Sequence, residues 1–110
     1  MIGENDFRDK AAQAIEDLEK RLFTVADIEG FEVESGGGML TLIFEEPSPA
    51  KFIISPNTSA RQIWVSALAT SHKFDWDDGA GSFVLDKTRE PFAEVIAKLL
   101  EQQLGKRIVL

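Results

Sequence analysis

Acidic side chains crowd the start of this chain. The first 34 residues carry ten Asp and Glu against four Lys and Arg, so -6 of the -7 net charge lies there. Carboxylate oxygens are ligands for hard cations, and clustered negative charge also complements a basic protein surface. The same charge argues against nucleic acid, whose binding is dominated by cation-phosphate contacts. Side chains three or four apart on a helix lie about 5–6 Å apart at Cβ, so a pair such as Glu16 and Glu19 can share one ion. A closed site needs several ligands converging from different elements with outer-shell support. Carboxylates in a solvated row instead give modest affinity, loose stoichiometry and poor selectivity among hard cations. The bland alternative is that the row is simply a solvated helix face.

A second chemical signal lies in the run Arg61-Gln62-Ile63-Trp64-Val65-Ser66-Ala67. Strand alternation places Ile63, Val65 and Ala67 on one face and Gln62, Trp64 and Ser66 on the other. The indole thus shares its face with polar groups. Tryptophan is enriched at binding hot spots, so an outward indole reads as an anchor for a partner rather than a tolerated surface residue. Lys73 and Asp75 alternate outward in the next strand and join Gln62, Trp64 and Ser66 as candidate contact residues.

Other candidates carry less. The chain has no cysteine, which removes disulfides, thiolate metal sites and cysteine nucleophiles. His72 shares the parity of Phe74 and Trp76 and reads as a residue packed at the sheet margin rather than a ligand. Gly36-Gly37-Gly38 is followed by neither a helix nor a Lys-Ser/Thr pair, so it is a hairpin turn and not a phosphate loop. With one histidine, no Gly-x-Ser-x-Gly elbow and dispersed carboxylates, no nucleophile-base set is visible. A small acidic enzyme stays open as the alternative, because folding can bring acid pairs together.

These residues need positioning elements. The apolar positions Phe7, Ala11, Ala14, Ile15, Leu18 and Leu22 predict a helix over 6–22, capped by Asn5 or Asp6. Asp9, Gln13, Glu16 and Lys20 then fall on the opposite face, with Asp17 and Glu19 at its flanks. Short alternating segments predict strands over 31–35, 39–45, 51–55, 61–67, 72–76 and 82–86, with a turn at 56–59 and another at 77–81. Phe92, Val95, Ile96, Leu99, Leu100 and Leu104 predict a last helix, with Pro91 in its first turn and Gly105 past its end. Residues 108–110 are expected to add a short closing strand.

The predicted fold is therefore α+β, a two-layer sandwich with two helices on one face of an antiparallel sheet and the other face open. At 110 residues, 44% of them hydrophobic, the chain suits one domain over residues 1–110 with one core. No apolar run approaches the roughly 18 residues of a membrane helix.

Several stretches, read in this architecture, resemble the frataxin family and within it the bacterial CyaY branch. They are Gly38-Met39-Leu40-Thr41-Leu42, Gln62-Ile63-Trp64-Val65-Ser66 and Lys73-Phe74-Asp75-Trp76. The resemblance implies an iron-binding protein of iron-sulfur cluster assembly, holding ferrous or ferric iron weakly and reversibly. It implies docking on the cysteine desulfurase and scaffold protein. Glu16, Asp17 and Glu19 match the acidic end of the first helix, and Glu29, Glu32 and Glu34 the acidic first strand and its approach. Asp9 and Asp27 complete the candidate iron ligands. Gln62 and Trp64 match the partner-binding sheet surface, with Asn57 in the adjacent turn.

The chain departs from the family where Lys20-Arg21-Leu22-Phe23-Thr24-Val25-Ala26 interrupts the acids, which thins the ridge. It also has Ser55 where the family commonly has Asn, and Ser59 where it commonly has Pro. Besides the docking protein, the readings left standing are a small enzyme, for example one oxidising iron at the ridge, and a generic interaction module. The acidic N-terminus lacks signal and transit patterns, so the expected compartment is the bacterial cytoplasm, or the mitochondrial matrix for a chain trimmed of its leader. A monomer is expected, with iron-dependent oligomers as the variation.

Overall fold

In the computed structural model, which describes residues 1–110, the first helix (α1) spans Glu4–Glu29 and not 6–22. The extension follows the same stripe, since Val25 and Ala26 continue the buried line of Phe7, Ala11, Ile15, Leu18 and Leu22. Gly30 stops it by entering the left-handed region at φ 83°, its N–H returning to the Ala26 carbonyl. Neither Asn5 nor Asp6 caps the start. Gly3 stands at the N-cap with no side-chain bond, and Glu4 and Asp6 lie in the first turn, where negative charge suits the helix dipole.

Six strands follow: β1 (Glu32–Gly36), β2 (Met39–Phe44), β3 (Ala50–Asn57), β4 (Gln62–Ala67), β5 (Thr70–Asp77) and β6 (Ser82–Leu85). They pair antiparallel in chain order, β1-β2-β3-β4-β5-β6, as a meander. Gly37 and Gly38, both at positive φ, make the tight turn between β1 and β2. The expected turn at 56–59 is displaced. Pro56 and Asn57 pair with Ile63 and Gln62 inside β3, and the chain turns over residues 58–61. Proline is tolerated there because β2 begins at Met39, leaving β3 with one neighbour at that level.

The second helix, α2 (Phe92–Leu104), packs beside α1 on one sheet face and ends at Gly105, φ 71°. Pro91 precedes it at the N-cap and bridges to Val84, where a first-turn position was expected. Between the layers lie Phe7, Leu22, Leu40, Phe52, Ile54, Phe74 and Ile96, all fully buried. Edge-on aromatic contacts, Phe7 with Phe83 at 5.9 Å and Phe74 with Phe92 at 5.0 Å, join each helix to the sheet. Buried Gln103 donates its side-chain N–H to the Ser48 carbonyl at 2.9 Å, tying α2 to the β2–β3 loop. Truncating such core residues to alanine costs about 2–5 kcal/mol.

The closing strand expected at 108–110 does not form. Ile108 is buried, but its backbone N–H donates to the Glu101 carboxylate at 3.0 Å, so the hydrogen bond a strand would need is already made to α2. No helix is long and apolar enough to cross a membrane.

Candidate functional site

The uncovered sheet face is centred on β4. Its register sets Trp64 between Ser55 on β3 and Lys73 on β5, Gln62 between Asn57 and Asp75, and Ser66 between Ile53 and Ser71. Ile63, Val65 and Ala67 are buried against the helices, while Trp64 is 37% exposed. The indole N–H donates to Gln62 Oε1 at 2.9 Å, and Gln62 Nε2 donates to Asp75 Oδ1 at 2.9 Å. Both ends of the amide are used. The Lys73 ammonium lies 5.1 Å from the Trp64 ring centroid, a cation–π contact. Asp75, Gln62, Trp64 and Lys73 thus form one connected chain across two strands, and the indole is held by it instead of turning freely.

Asn57 ends β3 and does not lie in the turn as expected. Its Oδ1 accepts from the Ala60 N–H at 2.9 Å and so shapes the loop beside Gln62. Ser66 is exposed beyond Trp64. Two apolar residues outside the expected contact set also stand on this face: Met39 is 39% exposed and Ile53 38%. Lys51-Phe52-Ile53-Ile54 is apolar at both parities, which hides the outward residue, whereas Met39 carried a readable outward parity beside Leu40 and Leu42. With Trp64 on β4, Ile53 on β3 and Met39 at the start of β2 run an apolar line across the open face among polar neighbours, a composition suited to protein binding.

The carboxylates are more dispersed. Asp9, Glu16, Asp17, Asp27, Glu32 and Glu34 are exposed, and Glu19 is half-buried. Glu16 Oε1 lies 3.5 Å from Lys20 Nζ, and Asp17 Oδ1 accepts from Gln13 at 2.8 Å. Glu29 is the exception among the candidate ligands: its carboxylate is 2.9 Å from Lys106 Nζ and mostly shielded, so it serves an ion pair joining α1 to the C-terminal segment. No three Asp, Glu or His side chains converge on one point. The arrangement suits loose cation association with single carboxylates or pairs, not an enclosed coordination shell.

His72 is half-buried on the helix-facing side, with Nε2 buried and without a hydrogen-bond partner. A groove of about 410 Å³ opens between α1, β6 and the start of α2, walled by Leu18, Trp76, Phe83 and Phe92 and edged by Lys10 and Arg21. Lys10 Nζ sits 5.1 Å from the Trp76 ring, whose N–H donates to Asp78 at 2.7 Å. Asp17, already bonded to Gln13, is its one carboxylate, so the groove assembles no acid pair.

Comparison with known proteins gives a consistent result. A frataxin-like domain family matches residues 1–106. An iron-sulfur cluster assembly protein CyaY from Pseudomonas fluorescens (strain SBW25) is 32% identical over 103 residues, covering 92% of this chain and 86% of that protein. Proteins of the same name from Pseudomonas aeruginosa and Pseudomonas entomophila are 30% and 29% identical, each over 94% of this chain and over 90% and 88% of their own lengths. A solved frataxin from Psychromonas ingrahamii superposes with a TM-score of 0.72 over 97% of this chain and 96% of its own, at 20% identity, a likeness of fold.

Proposed function

This chain belongs to the frataxin family, of the bacterial CyaY type, and from that footing we propose that it serves iron-sulfur cluster assembly by docking rather than by chemistry of its own. The open face of β3, β4 and β5 meets the cysteine desulfurase and its scaffold protein, with Trp64 as the central anchor. The carboxylates of α1 and β1 offer loosely held iron as cargo, because an ion gripped by a full coordination shell is hard to hand on. The setting this implies is the bacterial cytoplasm.

The observation that carries the docking reading is the fixed, outward indole. Trp64 spends its N–H on Gln62 and its ring face on Lys73, and stays exposed beside the outward Ile53 of β3. An anchor ordered before association loses little rotamer freedom when it is buried by a partner. The test is capture of this chain by an immobilised bacterial cysteine desulfurase, native against Trp64→Ala, with the melting temperature of each measured alongside. Loss of capture with melting retained supports the reading; equal capture by both chains sinks it.

A further inference from the structure

The two edges of the sheet are treated differently. At β6 the Leu85 N–H donates to the Glu90 carbonyl at 2.8 Å and Val84 bridges to Pro91, so the returning chain covers that edge. At β1 nothing pairs on the outer side. Gly36 and Met39 flank a two-residue turn and form its closing hydrogen-bonded pair; pairs then alternate, so Glu32, Glu34 and Gly36 direct their backbone groups to β2. Val33 and Ser35 direct theirs outward. An unpaired edge of this kind is a template for another strand.

The surroundings of that edge select what can pair with it. Beneath it, between the end of α1 and the start of β1, lies an open cleft whose apolar lining is Phe23, Ala26, Phe31 and Val33, with Asp27, Glu32 and Glu34 also bordering it. Phe23 is 53% exposed at its rim. On the open-face side stand Glu32 and Glu34, with Asp27 at the cleft mouth, and none of the three forms an ion pair. A strand added at β1 projects alternate side chains to these two sides.

We propose that β1 accepts an extended segment of a partner protein in which apolar and basic residues alternate. Its backbone pairs with Val33 and Ser35, its apolar side chains enter the Phe23–Phe31 cleft, and its Lys or Arg side chains lie against Glu32 and Glu34. A second copy of this chain is the poorer occupant, because it would set these glutamates beside another acidic edge on a molecule of net charge -7. The surface is separate from the β4–β5 face, so this inference and the docking proposal stand or fall independently.

The test is titration of the isotopically labelled native chain, in chelator to keep cations off the carboxylates, with a synthetic peptide alternating lysine and valine around a central phenylalanine. Binding is expected to shift the Val33 and Ser35 amide resonances and to slow their hydrogen exchange. Glu32→Lys combined with Glu34→Lys, and separately Ser35→Pro, are each expected to weaken binding by about tenfold or more; proline is tolerated on an edge strand where the N–H faced solvent. The peptide with glutamate for lysine is expected not to bind. Should Ser35→Pro fail to fold, methylating the peptide amides that would face β1 abolishes binding, whereas methylating the alternate set does not. No binding, equal binding to Ser35→Pro, shifts confined to the Trp64 face, or dimerisation of the native chain through β1 each overturns the proposal.

Discussion

Gln62 and Asp75 face each other across the β4–β5 ladder, and the Gln62 amide N–H donates to the Asp75 carboxylate at 2.9 Å. That bond fixes which way the amide points, so its oxygen is turned to the Trp64 N–H. Asp75→Ala should therefore act on partner binding through Gln62 even if it touches no partner. Exposed hydrogen bonds contribute about 0.5–1.5 kcal/mol each, so Gln62→Ala should cost little stability. It should weaken docking by about 2 kcal/mol or more if the patch is a hot spot. A double-mutant cycle on desulfurase binding checks this. Additive effects of Gln62→Ala and Asp75→Ala would show that the carboxylate does not orient the amide.

The β4–β5 hairpin turns through Leu68 and Ala69, at φ 53° and 60°, the left-handed region that side chains other than glycine and asparagine resist. Replacing the pair by Leu68→Asn with Ala69→Gly should stabilise the chain by about 1 kcal/mol or more, since the αL penalty is of that order per residue. Urea unfolding gives the comparison. Because this turn sets the register that brings Lys73 opposite Trp64, the replacement should leave partner binding unchanged. A fall in stability would mean that the 37%-exposed Leu68 side chain contributes more packing than its backbone costs.

That same turn marks where reading the chain as a string of residues succeeds and where it stops. The amphipathic stripes of both helices, the outward parity of Gln62, Trp64, Lys73 and Asp75, and the Gly37-Gly38 turn are local patterns, and local patterns are legible. Leu68-Ala69 has no turn chemistry, and its conformation is imposed by the sheet around it. The last turns of α1 are not legible in the sequence because Lys20, Arg21, Phe23 and Thr24 blur a stripe that Val25 and Ala26 resume. The segment 108–110 has strand composition, yet Glu101 captures the Ile108 N–H. Glu29 looked like any other acid of the ridge until folding set Lys106 beside it. The Gln62–Asp75 bond likewise depends on a register that no periodicity states.

Clustered like charge on α1 and β1 destabilises the folded chain, and a cation bound there relieves it. Calcium or ferrous iron should raise the melting temperature, with stabilisation following RT ln(1 + [L]/Kd), about 2.7 kcal/mol at a hundredfold excess over Kd. Glu16→Gln with Glu19→Gln should shrink the response, whereas Glu29→Gln should lower stability by breaking its pair with Lys106 without changing the metal response. Melting curves at fixed ionic strength decide it. A flat response to metal would remove the ridge as a cation site.

Acid should weaken the fold through two carboxylates far from the ridge. The Ala80 N–H donates to Asp77 Oδ1 at 3.0 Å and Arg89 donates to Oδ2 at 2.6 Å, and these bonds, the backbone one foremost, hold the Asp77 carboxyl below its ordinary value of 3.8. Glu90 is held below its ordinary 4.5, chiefly by the Lys98 ammonium and next by the Thr88 hydroxyl. A carboxyl depressed by folding binds protons more readily in the unfolded chain, so its contribution is complete above the ordinary value and disappears as pH falls through the lower, folded one. Lys98 has the opposite sign: Glu90 raises it above 10.5, so its share is present below that value and is lost as alkali passes the folded pKa. The urea midpoint should therefore fall as pH drops from about 5, and Asp77→Asn with Glu90→Gln should flatten the fall. An unchanged slope in that double variant would assign the acid sensitivity to other carboxylates.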